Sequence, residues 1–274
     1  MTLPVPEAPP PADEAQARRL LHEGDLVVEG RLVAASNTTL YCRLQGEGVE
    51  TACVYKPVSG ERPLWDFPEG SLAGREVAAH AVSEASGWRL VPPTVLRDGP
   101  FGPGMVQLWV ATVEELLVDV VPAGRIPPGW LRVLDAADEA GRPVSLVHLD
   151  DPRLRRTAVL DVVLNNADRK GGHLLPTPSG HLHGVDHGVA FHVEPKLRTV
   201  LWGWAGRRLA GEERTVLRRL AGQLAPGGPL AETLNGLLRS DEVRATRHRA
   251  ADLLARDRFP APGEHWPSIP WPAF

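Results

Sequence analysis

The chain has 274 residues, 43% of them hydrophobic, enough to bury a large core in one two-lobed domain or two small ones. Thirty basic residues face 34 acidic ones, and the net charge of −4 exerts no general pull toward nucleic acid or an anionic membrane. No apolar run approaches the roughly 20 residues that a membrane-spanning helix needs.

Residues 1–13 are proline-rich and acidic, lack the basic and apolar regions of a signal peptide, and are expected to form a disordered tail. Cys42 and Cys53 are the only cysteines, which fits a reducing compartment and hence a cytoplasmic protein. Residues 14–23 (EAQARRLLHE) read as a short amphipathic helix ending at Gly24. Three β-like runs follow at 25–34, 39–44 and 51–56, joined by the polar turns 35–38 and 45–48, an antiparallel meander. A loop rich in Pro and Gly (57–70) leads to a helix over 72–86, and 91–97 and 104–110 read as two more strands.

Beyond residue 111 the pattern predicts helices at 112–120, 128–140 and 151–165. Loop and short strands with a hairpin turn at 177–180 fill 166–191, and further helices follow at 212–223, 229–239 and 241–257. The aromatic, proline-rich segment 259–274 is expected to pack as an extended strap. A β-rich first part and a helical second part imply two lobes, 14–108 and 109–258, joined near 107–112.

Lysine and asparagine are scarce here, and the survivors gather in a few segments. Only Lys56, Lys170 and Lys196 occur among 30 basic residues, and only Asn37, Asn165, Asn166 and Asn235 among the amides of that type. Phosphoryl transfer without a Walker loop needs a cation on the phosphates, a carboxylate to fix that cation, a carboxylate near the attacking hydroxyl, and ligands for a divalent metal. Val54-Tyr55-Lys56-Pro57 ends a β-run, and twenty residues on Glu76 lies in the next helix, able to pair with Lys56. The loop Asn165-Asn166-Ala167-Asp168-Arg169-Lys170 offers a carboxylate beside two cations, suited to orienting a hydroxyl. Gly184-Val185-Asp186-His187-Gly188 offers an aspartate placed for a hard divalent cation. Each motif taken singly also fits a plain structural role: a surface Lys and Glu, a helix-capping turn, a β-turn aspartate.

In their order and spacing these segments resemble the phosphatidylinositol 3/4-kinase superfamily, closest to its type II phosphatidylinositol 4-kinase branch and to HipA-type kinases, over about residues 25–195. The resemblance implies an α+β, two-lobed protein-kinase-like fold with a small β-rich N-lobe and a larger, mostly helical C-lobe. It implies Lys56 on the phosphates, Glu76 bracing it, Asp168 as the catalytic aspartate and Asp186 as a metal ligand. Gln107, Leu108 and Val110 take the place of the hinge that would hold adenine, Ser36-Asn37-Thr38 that of a phosphate-covering turn, and Lys170 joins the nucleotide site. The implied cofactors are ATP with Mg²⁺ or Mn²⁺, and the implied partner is a hydroxyl acceptor: an inositol lipid, a protein or a small molecule.

Two departures qualify the resemblance. His173 stands where the family carries a metal-binding Asn, which leaves manganese, substitution by Asn166 or water, or impaired metal binding open. No glycine-rich phosphate loop is present. A non-catalytic nucleotide-binding pseudokinase is therefore an alternative. A second is a zinc hydrolase built on His173, His181, His183, His187 and His192, whose spacing in His181-Leu182-His183-Gly184-Val185-Asp186-His187 is one residue longer than a metallo-hydrolase signature.

Overall fold

The computed structural model describes residues 13–32, 37–46, 48–263 and 267–274. The expected tail at 1–12, and Ser36, lie outside the described residues. Helix α1 (Glu14–Glu23) starts where the Asp13 carboxylate accepts the Gln16 N–H at 2.7 Å, an N-cap that satisfies a donor the helix leaves unpaired. Its apolar stripe, Ala17, Leu20 and Leu21, is buried against a sheet.

That sheet has five antiparallel strands: β1 (Asp25–Arg31), β2 (Leu40–Gly46), β3 (Val49–Pro57), β4 (Thr94–Gly99) and β5 (Gly102–Leu108), in the order β1-β2-β3-β5-β4. The period of two sorts β3 between its faces. Cys53 and Tyr55 are fully buried in a cluster with Leu21, Cys42, Leu44 and Val106, whereas Val54 and Lys56 face the opposite side. Cys42 and Cys53 are direct register partners and free thiols. β4 begins three residues later than the sequence suggests, because Pro92 and Pro93 have no N–H to give a ladder. Helix α2 (Leu72–Ser86) crosses behind the sheet and stops at Gly87, whose φ of 70° closes the turn in the left-handed region.

After β5 the expected helices at 112–120 and 128–140 do not form. Residues 109–117 run without regular structure, and β6 (Val118–Pro122), β7 (Trp130–Ala137) and β8 (Pro143–Leu149) make a second antiparallel sheet in the order β6-β8-β7. A β-bulge between Arg132 and Leu134 explains the misreading of β7. It shifts the alternation so that Trp130, Leu131, Val133 and Leu134 are half-buried around an exposed Arg132, a spacing that imitates a helix. In 118–122 a β-branched run closed by Pro122 favours the strand.

The remainder is mostly helical: α3 (Pro152–Leu164), α4 (Gly211–Gln223), α5 (Pro229–Asn235) and α6 (Ser240–Arg256), with a short hairpin of β9 (Leu174–Pro176) and β10 (Leu182–Gly184) between α3 and α4. α5 is shorter than the expected 229–239. The apolar faces of α2 to α6 share one core with Trp204 and Phe259. The final segment runs extended, its Ser268 carbonyl accepting from Thr199 N–H at 3.0 Å and its Ala273 carbonyl from Gly171 N–H at 2.8 Å. The fold is α+β and two-lobed, a β-rich part and a helical part with a cleft between them.

Candidate active site in the interlobe cleft

The cleft encloses about 550 Å³ and is walled by Leu32, Val54, Leu108, Leu175 and Val185, with Lys56, Asn37, His173 and Asp186 among its polar residues. Its size and largely apolar lining suit a small-molecule or cofactor site. Lys56 reaches it from the end of β3. The ammonium meets Glu76 Oε1 at 2.6 Å and Asp186 Oδ1 at 2.9 Å, so two carboxylates from α2 and the 184–188 loop converge on one cation. Burial acts to lower the Lys56 pKa, but Asp186 and Glu76 together outweigh it and hold the ammonium above its ordinary value. Lys56 in turn holds the half-exposed Asp186 carboxyl well below the usual carboxylate range. Glu76 is buried, and its Oε2 accepts the His187 N–H at 2.8 Å, which fixes the following loop to α2.

Asp186 has a φ of 63°, a left-handed conformation uncommon outside glycine. Its Oδ2 faces His173 Nε2 at 3.5 Å. Burial depresses His173 to a pKa of about 4, so at neutral pH it is an uncharged imidazole with a lone pair to offer. Asp168 and Lys170 do not line the cleft; the Asp168 carboxyl stands 3.3 Å from the Lys170 ammonium, near enough to Asp186 for that charge to act on it. Burial raises the Asp168 pKa above its ordinary value, with the Lys170 charge opposing.

What holds the Asp168 loop in place was not legible as function. Asp161 on α3 and Arg169 are both fully buried and form a multiply bonded ion pair, the Arg169 Nε to Asp161 Oδ2 distance being 3.0 Å. Arg169 also donates to Val185 O at 2.9 Å and to His187 Nε2 at 2.6 Å. Arginine only donates, so His187 Nε2 is the acceptor and its neutral ring carries the proton on Nδ1. That Nδ1 has no hydrogen-bond partner among the described residues, and Glu76 Oε2 stands 4.0 Å away. Asn166 donates to Asp161 at 2.9 Å and accepts from the Asp168 N–H at 3.1 Å. It is thereby consumed in shaping the loop, which corrects the expectation that it substitutes as a metal ligand. Asn165 caps α3 in the left-handed region and gathers His192 O, Glu194 O and the Lys196 N–H with its amide. The scarcity of Asn pointed to this loop; its partners, being distant in sequence, gave no signal.

At the expected hinge the three residues diverge. Gln107 turns its amide to Thr94 Oγ1 at 2.8 Å, and the Leu108 N–H is given to Pro93 O at 3.0 Å. Val110 lines the cleft, and its N–H makes no hydrogen bond among the described residues. Asn37 also lines the cleft, but its Oδ1 accepts the Arg62 N–H at 2.9 Å and the Thr38 N–H goes to Gly60 O, so this turn is tied to the loop after β3.

The five histidines do not converge. His181 and His183 pack ring to ring at 4.5 Å with nitrogens toward Arg89 O and Leu90 O, His187 faces Arg169, and His192 accepts the Glu194 N–H. Among the described residues no three His, Cys, Asp or Glu side chains cluster as a metal site. The zinc-hydrolase alternative therefore fails: His181, just before β10, and His183, within it, turn their nitrogens to Arg89 O and Leu90 O.

Comparison with known proteins adds a relative and a distant likeness. No family model matches the chain. Protein Rv2133c of Mycobacterium tuberculosis is 53% identical over 266 residues, spanning 93% of this chain and 94% of that protein. This chain belongs to its family. Among solved structures, the Helicobacter pylori proinflammatory kinase CtkA overlays with a TM-score of 0.42 at 9% identity, over 87% of this chain and 94% of that one.

Proposed function

We propose that the chain is an ATP-dependent phosphotransferase of the phosphatidylinositol 3/4-kinase-like class that transfers the γ-phosphoryl group to a hydroxyl. The observation that carries this reading is the meeting of Lys56, Glu76 and Asp186 within hydrogen-bonding distance at the cleft, with Asp168 near enough to Asp186 for the two charges to act on each other. Lys56, kept charged by two carboxylates, is suited to binding the phosphates. The Val110 N–H and the apolar walls are suited to adenine. Asp168 would orient the acceptor hydroxyl and take its proton as the new O–P bond forms and the bond to the β-phosphate oxygen breaks. Lys170 beside it would offset charge on the transferring group.

The donor set fits a divalent cation: Asp186 and neutral His173 face each other, leaving other positions to nucleotide oxygens and water, and a nitrogen donor favours Mn²⁺ over Mg²⁺. When bound, such an ion neutralises phosphate charge. No helix among the described residues is long and apolar enough to cross a membrane. A protein, small molecule or inositol lipid fits as the acceptor, and the cytoplasm as the compartment where ATP is met.

The test is thermal stability of the purified protein with ATP plus Mn²⁺ or Mg²⁺, followed by ADP release. Ligand at a hundred times its dissociation constant adds roughly 2.7 kcal/mol, a rise of some degrees. The rise is expected to need the metal and to disappear in Asp186→Ala. A rise without any turnover favours the pseudokinase; no rise with any nucleotide sinks the proposal.

A further inference from the structure

A second cavity, of about 290 Å³, is bounded by α3, α6 and the segments 195–202 and 258–263, and it shares no lining residue with the cleft. Val162, Leu197, Trp202 and Leu253 give it apolar walls, and its size is close to the roughly 300 Å³ at which small-molecule sites begin. Its charge sets it apart. Three arginines line it, Arg249, Arg256 and Arg258, against a single carboxylate, Asp252. None of the three forms an ion pair among the described residues.

Arg249 is held in place by neutral groups alone. Its Nε donates to Val163 O at 2.9 Å, its Nη1 to His192 O at 3.1 Å and its Nη2 to Thr246 Oγ1 at 2.8 Å. A guanidinium carries five N–H groups, so two of them keep no partner among the described residues. Burial lowers the Arg249 pKa to about 10, with only Glu242 opposing, as for a cation short of counter-charge. Seven residues make two helical turns, so Arg256 shares a face of α6 with Arg249, and Asp252 and Leu253 stand between them. Arg258 follows just past the end of the helix, its Nη1 given to Gly206 O at 2.8 Å.

We infer that this cavity is a second binding site, for a small amphipathic carboxylate whose apolar body lies against α3 and Trp202 and whose head meets the arginines. Apolar walls alone would take a neutral molecule, and arginines alone would take any anion; together they select a molecule with both ends. Guanidinium forks match carboxylate geometry, and such charge-assisted bonds are the strong ones. The Asp252 charge in the same wall weighs against a doubly charged head such as phosphate. Asn165, which caps α3 and opens the Asp168 loop, also lines the cavity, so an occupant lies against the stem of that loop. The site stands apart from the phosphotransferase reading, because no residue is common to the two.

The test is calorimetric titration of the full chain with octanoate, with octan-1-ol as the uncharged match and acetate as the head without its body. Octanoate is expected to bind, and the other two at least about tenfold more weakly. Arg256 and Arg258 are exposed, so the double variant Arg256→Ala with Arg258→Ala should fold, and it should weaken octanoate binding by about tenfold or more. Amide exchange read by mass spectrometry then locates the occupant: octanoate should slow exchange over 195–202 and 249–260. No octanoate binding, an affinity unaltered in the double variant, or protection confined to the cleft segments 105–112 and 173–186 would overturn the site. Octan-1-ol, acetate or inorganic phosphate binding as tightly as octanoate would overturn the amphipathic ligand.

Discussion

Glu76 and Asp168 are both carboxylates of the cleft region, yet their surroundings assign them different work. Glu76 is enclosed and already spends one oxygen on Lys56 and the other on the His187 N–H, so it can only brace. Asp168 carries a raised pKa and one cation at 3.3 Å, the setting of a group that can take a proton. Asp168→Asn is accordingly expected to keep the ATP- and metal-dependent rise in melting temperature while phosphoryl transfer falls by about 10²- to 10⁴-fold, read as product formed per enzyme. Asp161 is a different kind of acid, fully buried and bound to Arg169. Asp161→Ala strands an arginine charge in the core and should cost about 3–5 kcal/mol in urea unfolding. A loss much below 1 kcal/mol would mean that water reaches Arg169.

At the scale of elements, the second sheet is fastened to the helical core through His148 at the end of β8. Its Nδ1–H donates to Leu149 O at 2.9 Å and its Nε2 accepts the Gly203 N–H at 3.0 Å, so the ring is held neutral. Gly203 has no substitute here, because a Cβ would lie 2.5 Å from both His148 Nε2 and Leu131 Cβ. Burial lowers His148 from 6.5 to about 4. The unfolded chain therefore binds the proton more readily than the folded one between these values. The stabilisation is present above pH 6.5 and is lost as pH falls toward 4, by about 3 kcal/mol for a shift of this size. His173 and His183, depressed to about 4 by the same burial, add to that slope. Unfolding free energies measured from pH 7 to pH 4 should fall steadily, and His148→Asn should flatten part of the decline.

The whole molecule is coupled through α2. One face of the helix lies against the first sheet and carries Glu76. From the same turn Arg75, also buried, donates to Ala190 O at 2.6 Å and to Glu242 Oε1 on α6 at 2.5 Å, with its guanidinium 4.8 Å from the Phe67 ring centre. Adjacent residues of one helix thus tie the cleft lysine and the helical part together. Glu242→Ala is expected to destabilise the fold by about 3–5 kcal/mol. It should also raise amide exchange along 72–86 ahead of global unfolding, seen by mass spectrometry. Unchanged exchange in α2 would show that sheet packing alone positions Glu76.

Local grammar accounts for what could be read in advance. The Asp13 cap, Gly87, the alternation of β3 and the apolar face of α3 act over a few residues, so the first sheet, α1, α2 and α3 were legible with their order. Scarcity of Lys and Asn marked Lys56, Asn166 and Lys170 before any contact was known. The second sheet was not legible, because the bulge at Arg132–Leu134 lends a strand the spacing of a helix. Neither was the frame of the site: Asp161 with Arg169 and Arg75 with Glu242 join residues 8 and 167 positions apart in sequence. Sequence alone determined which side chains are available and in what order; the tertiary structure decided which charges find partners. Pairing a buried charge depends on desolvation and distance, and both exist only once the chain has closed around it.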